Sequence, residues 1–141
     1  MKGIDACSYE DFQYAMSVGV TAPFYLAKLF APYFAKGAAI VNISSSRDRM
    51  SQPQTESYTA AKGGIAALTP ALAVSLAGKV RVNSISPGWI DTAYTVYEGP
   101  DAVQQPAGRV AILWILQTWC SISVPTRRAS SQARTSVSMV A

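Results

Sequence analysis

From Ser8 onward, stretches with helical periodicity alternate with short unbroken apolar runs. The order Ser8-Tyr-Glu-Asp11 predicts a helix start, with Ser8 as N-cap and the Asp11 carboxylate closing a capping box. Apolar residues then recur at Phe12, Ala15, Met16, Val20, Phe24, Leu26, Ala27 and Phe30, predicting a long helix buried over a wide face. Pro23 is expected to kink it, Pro32 lies near its end, and Gly37 breaks the pattern. Residues 38–43 (Ala-Ala-Ile-Val-Asn-Ile) lack polar alternation and predict a parallel strand covered on both faces. Serines 44, 45 and 46 follow, where a strand would leave the sheet.

A polar loop from Arg47 to Ser57 leads into a second long helix, Tyr58 to Leu76, whose Gly63 and Gly64 are expected to admit a close neighbour. The run Val80-Arg-Val-Asn-Ser-Ile85 is the next strand, closed by Ser86-Pro87-Gly88. A helix between two apolar strands is a βαβ unit, with a right-handed crossover as the default. Past Thr92 the signal weakens: Tyr94 to Gly108 is a loop, and Ala111 to Thr118 is apolar without a clean period. Residues 121–141 are rich in Ser, Thr and Arg with no face to bury. The expected fold class is α/β, a partial parallel sheet ending in an irregular tail.

Composition narrows the functions available. The chain has 141 residues, half of them apolar, which suits one globular domain. Its net charge of +4 owes much to Arg127, Arg128 and Arg134 in the tail, so no nucleic-acid surface is expected. Histidine is absent and Cys7 and Cys120 stand far apart, which excludes a His-based triad and a zinc site. The cysteines are expected to be reduced and structural. With no apolar run of spanning length and no signal-peptide core, the protein is expected to be cytoplasmic and off the membrane.

Tyr58 and Lys62 lie four positions apart on one helix face, a pair common by chance. Context gives it weight. Ser45 stands thirteen positions upstream at a strand end, Pro87-Gly88 closes the next strand, and in parallel sheets ligands bind at the carboxyl ends of strands.

Ile40-Val-Asn-Ile-Ser44-Ser45, Tyr58-x-x-x-Lys62 and Arg81-Val-Asn-x-Ile85-x-Pro87-Gly88 resemble, in order and spacing, the motifs of short-chain dehydrogenases/reductases over residues 8–92. The resemblance implies the C-terminal half of a doubly wound, Rossmann-like sheet and an NAD- or NADP-dependent oxidoreductase acting on a hydroxyl/carbonyl pair of a small alcohol or carbonyl substrate. Catalysis would fall to Ser45, Tyr58 and Lys62. Tyr58 would be the acid/base, its phenol otherwise a poor proton exchanger at neutral pH; Lys62 would favour phenolate and bind the nicotinamide ribose. Ser45 would polarise the substrate oxygen as an uncharged donor, with Ser44 and Ser46 as rivals that the spacing to Tyr58 disfavours. Pro87, Gly88, Ile90 and Thr92 resemble the segment lining the nicotinamide pocket, against the plainer reading of a strand-to-loop turn. The two long helices imply homo-oligomer contacts.

Three departures qualify the match. Where many members carry a catalytic Asn in the first helix, Val18-Gly19-Val-Thr-Ala-Pro23-Phe24 offers Gly19, which has no side chain to relay a proton. The family's glycine-rich phosphate loop has no counterpart, so residues 1–110 are expected to be a catalytic part without its nucleotide-binding half, inactive alone. Beyond Val110 the resemblance ends. Read back into codons and shifted to each third base, residues 114–141 can encode a string with the family's Phe-Ile-Thr-Gly and Val-Asp-Gly-Gly, so one nucleotide lost near Val110 is expected to leave 111–141 out of frame. Two other readings follow from these departures: a non-enzymatic module pairing through the long helices, and a degenerate gene product.

Overall fold

The computed structural model describes residues 2–91, together with 111–112, 117–118, 120–121 and 137–138. The first helical rod begins with α1, Tyr9–Met16. Ser8 Oγ accepts from the Asp11 N–H at 3.1 Å and the Asp11 carboxylate accepts from the Ser8 N–H at 3.1 Å, so two orphan helix donors are satisfied reciprocally, as the sequence predicts.

Pro23 does not break this rod. A π-helical turn at Ser17–Thr21 carries α1 into α2, Ala22–Phe30, and the Ala22 N–H reaches back five residues to the Ser17 carbonyl. A proline inside a helix withdraws a donor and crowds the carbonyl four residues back, here that of Gly19. The wider turn sits immediately before the ring and contains that carbonyl. A 3₁₀ turn, Ala31–Tyr33, ends the rod.

Strand β1, Ala38–Ile43, and strand β2, Val80–Ser86, pair in parallel from Ala38 opposite Val80 to Ile43 opposite Ile85. Helix α3, Glu56–Ser75, makes the crossover and starts two residues earlier than its apolar pattern suggests. After it the chain turns through Gly78, whose φ of 80° lies in the left-handed region that a residue with a β-carbon avoids. Strand β3, Ile90–Asp91, pairs in parallel with β4, Ala111–Ile112, and β5, Val137–Ser138, adds two residues beside Ile85 and Ser86 of β2. The α/β class and partial parallel sheet match the sequence reading.

The core lies on one side of this sheet. Ala27, Leu72, Ala73, Val80 and Val82 are buried together, with Phe34, Ile40 and Leu68 packed around them. Asn42, inward-facing at 8% exposure, donates through Nδ2 to Thr69 Oγ1, and Thr69 donates in turn to the Ile65 carbonyl, so this polar pair costs the core no unmade bond.

Two burial expectations are corrected. β1 is not covered on both faces: it is the outer strand of its sheet among the described residues, Ala38–Val41 are only half-buried, and Ile43 is exposed. The first rod is not buried over a wide face either. Ala27 is its one buried residue, while Val18, Tyr25, Leu26, Leu29 and Phe30 are each more than half exposed. Periodicity reports which face is apolar, but a cover for that face must come from another element, and among the described residues α3 covers only part of it.

Candidate active site

The carboxyl ends of β1 and β2 are laced together by main-chain bonds. Ser44 N–H donates to the Ile85 carbonyl and Ser46 N–H to the Pro87 carbonyl, each at 2.8 Å. Parallel pairing therefore continues one step past each strand and brings the serine run beside the Pro87-Gly88 turn. Ser45 has extended backbone, φ −161° and ψ 156°, and caps a 3₁₀ turn at Ser46–Asp48. Its Oγ accepts the Arg47 N–H at 3.2 Å. That bond uses a lone pair and leaves the Ser45 hydroxyl proton to be donated.

Tyr58 and Lys62 project from the first turns of α3, one helical turn apart. The Lys62 ammonium lies 5.6 Å from the centroid of the Tyr58 ring, within the range at which a cation is held over an aromatic face. It also donates to the Ile43 carbonyl at 2.9 Å. One ammonium thus spans from the phenol's helix to the last residue of β1, two positions before Ser45.

Both side chains line an apolar groove of 640 Å³ between the first rod, the free edge of β1 and α3, a volume in the range of small-ligand sites. Gly19 lines it too. The structure therefore brings Tyr58, Lys62 and the end of β1 together. Ser45, 7% exposed, does not line that groove, nor do Pro87 and Gly88, and Ile90 stands in β3. Thr92 lies outside the described residues.

Gly19 fills a role that spacing did not reveal. A β-carbon there would stand 2.7 Å from that of Ala61, and one on Gly64 would stand 2.6 Å from Val20 Cγ2. The π turn and α3 cross with their backbones in close approach, and Gly64 serves it; Gly63, paired with it in the sequence reading, faces open space. Sequence reasoning missed Asp48 and the cluster it forms: its carboxylate meets the hydroxyls of Ser44, read only as a rival to Ser45, and Ser86, read only as the close of the second strand. No spacing rule points to an Asp three residues after Ser45, and only the folded strand ends bring these residues together.

Parallel strands with polar and ionisable groups gathered at their carboxyl ends place this chain among α/β proteins that act on a ligand at the edge of the sheet. Residues 1–113 match the family model described as enoyl-(acyl carrier protein) reductase. The chain belongs to the short-chain dehydrogenase/reductase family of oxidoreductases. An uncharacterised oxidoreductase of Thermotoga maritima is 40% identical over 122 residues, covering 78% of this chain and 48% of that protein. Among solved structures, a SCOR enzyme from Clostridium thermocellum superposes with a TM-score of 0.83 at 35% identity, over 98% of this chain and 56% of its own. An angucycline C-6 ketoreductase with bound NADP shares the fold at a TM-score of 0.80 and 23% identity, over 98% of this chain and 56% of its own. The chain spans about half the length of these proteins.

Proposed function

We propose that this chain carries the catalytic end of an NAD(P)-dependent oxidoreductase interconverting a hydroxyl and a carbonyl on a small molecule, with Tyr58 as acid/base, Ser45 as the substrate-oxygen donor and Lys62 as their electrostatic partner. The observation that carries the reading is the Lys62 ammonium, held at once over the Tyr58 ring and on the Ile43 carbonyl at the end of the strand leading to Ser45.

The described residues suit the nicotinamide end of such a cofactor. Lys62 uses one of its three protons on Ile43 and keeps two for ribose hydroxyls. The Pro87-Gly88 turn lies beside the serines, and Ile90 follows it; Thr92 extends this cofactor-side set in our reading. No glycine-rich helix N-terminus that could hold a pyrophosphate occurs among the described residues, so affinity of this chain for free cofactor is expected to be weak. When bound, the nicotinamide supplies or accepts the hydride. The protein's part is to hold the substrate oxygen between two hydroxyls: Ser45 donates to it, and Tyr58 gives it a proton in reduction or takes one in oxidation. With Gly19 in the first rod, any proton relay from this pair runs without a side chain at that position.

The domain reading forms part of the proposal: residues 1–110 as the dehydrogenase part and 111–141 as out-of-frame sequence. The match to the family model ends at residue 113, close to the inferred shift. A second reading, a non-enzymatic module that associates through its helices, is favoured by Tyr25, Leu29 and Phe30, all exposed along α2.

Cofactor titration of the purified chain tests the first reading. NADH or NADPH fluorescence should change on binding and the melting temperature should rise, and Lys62→Met should weaken both effects at least about tenfold. A folded chain that responds to neither cofactor at millimolar concentration would sink the stand-alone enzyme.

A further inference from the structure

The serine run, the cofactor-side strand and the catalytic helix converge on one carboxylate. Asp48 ends the 3₁₀ turn that Ser45 caps, and its N–H donates to the Ser45 carbonyl at 3.0 Å. Asp48 Oδ2 accepts from Ser86 Oγ at 3.1 Å, on the last residue of β2, and lies 3.2 Å from Ser44 Oγ at the end of β1. Ser44 Oγ is also 2.8 Å from the Lys62 carbonyl in α3. Its single proton serves one of these two acceptors at a time, so Ser44 ties the Asp48 turn to the helical turn that bears Lys62.

Ser44 and Ser86 are 3% and 2% exposed. Buried hydroxyls of this kind need protein partners, and the carboxylate is the one group shared by both. Arg47, whose N–H holds Ser45 Oγ, lies within the same turn. The direction of the Ser45 hydroxyl is therefore set by a turn anchored to β2 through Asp48 and through the Ser46 N–H on Pro87.

We propose that Asp48 is a positioning residue of the oxidoreductase site: through Ser44 and Ser86 its carboxylate holds Ser45 in register with Lys62 and with the Pro87-Gly88 turn, touching neither substrate nor cofactor. Its catalytic meaning rests on the function proposed above, whereas the clasp itself does not. Ser44, Ser86 and Asp48 come from three different stretches, the end of β1, the end of β2 and the 3₁₀ turn, and the one carboxylate oxygen meets both strand ends.

Amide hydrogen exchange on the ¹⁵N-labelled full chain tests this without cofactor or turnover. Asp48→Ala should cut protection of the Ser46 and Arg47 amides at least about tenfold while the amides paired in β1 and β2 keep theirs. Asp48→Asn, whose side-chain oxygen can accept the same two hydroxyls, should stay within about twofold of the parent. If Asp48→Ala does not fold, Ser86→Ala carries the same expectation for Ser46. Unchanged protection in Asp48→Ala or, failing that, Ser86→Ala would overturn the clasp, as would a loss spread evenly over both strands or an Asn variant no better than Ala. Titrating NADPH into the same samples separates the two ideas: a clasp confirmed in a chain that binds no nucleotide leaves the clasp standing and removes its catalytic role.

Discussion

Placing an alanine at Gly19 sets helix propensity against packing at the point where the first rod crosses α3. In an ordinary helix, Gly to Ala gains about 1 kcal/mol. Here the new β-carbon would meet that of Ala61 at 2.7 Å, about 1 Å inside normal carbon contact. Ala61 is 5% exposed and precedes Lys62, so neither backbone can move without displacing the site. Overpacking of this kind costs about 1–3 kcal/mol. With about 2 for the overlap and about 1 gained in propensity, Gly19→Ala should lose about 1 kcal/mol, roughly 4–8 °C in melting temperature. Ala61→Gly should lose about 1 kcal/mol for the reverse reason, and the double variant, with the methyl moved across the interface, should return close to the parent. The cycle therefore carries a coupling of about 2 kcal/mol, read from urea or thermal melts followed at 222 nm. Additivity within about 0.5 kcal/mol, or a stabilised Gly19→Ala, would refute the close approach. The same geometry bears on function. Asn, the residue many family members carry at this position, needs the same β-carbon and more, so Gly19→Asn alone should destabilise the crossing and restore no relay.

The exposed face of α2 predicts self-association: light scattering after size exclusion should show a dimer or larger, and Leu29→Glu should shift it to monomer, whereas a monomeric parent would remove the helix-pairing reading. The Asp11 carboxyl is held below the usual carboxylate range, first by its hydrogen bond from Lys2 and then by that from the Ser8 N–H. A carboxyl with a depressed folded pKa stabilises above its unfolded value, about 3.9, and that contribution is lost as pH falls through the folded value. Amide shifts of Tyr9 to Phe12 should therefore report loss of the α1 start at the acid end of a titration, and Asp11→Asn should abolish that step; an identical acid transition in the variant would refute it. Resequencing the gene across codons 110–114 should find one base more than the present reading contains, restoring a tail of the family type; an unchanged reading would leave 111–141 as the protein's own sequence.

What could be read from the sequence is what neighbouring residues decide among themselves. The Ser8 to Asp11 capping box, the apolar runs of both strands and the helix between them are local, and the structure has them within a few residues of the predicted bounds. Helical spacing puts Tyr58 and Lys62 on one face, but that pair is common by chance, and Ser45, Pro87-Gly88 and the family resemblance are what singled it out. Gly19 was read correctly as a missing side chain, but its contact with Ala61 depends on a crossing that joins positions forty-two apart. Asp48 was invisible for the same reason, since its partners Ser44 and Ser86 meet only when β1 and β2 align. Apolar pattern misled where it was taken to imply burial: of the residues read as the covered face, Ala27 is buried and packs with Phe34 into the core, yet Phe24, Leu26 and Phe30 are exposed. The open edge of β1 belongs with these cases. In a parallel pair each residue turns its N–H and C=O to one side, and the Ser44 N–H points to β2, so those of Ala39, Val41 and Ile43 point away from it. Lys62 occupies the last of these outward carbonyls. The lysine proposed as the electrostatic partner of Tyr58 is thus also the one that satisfies the backbone at the sheet's edge, and the reach of its ammonium toward Tyr58 depends on what else pairs with Ile43.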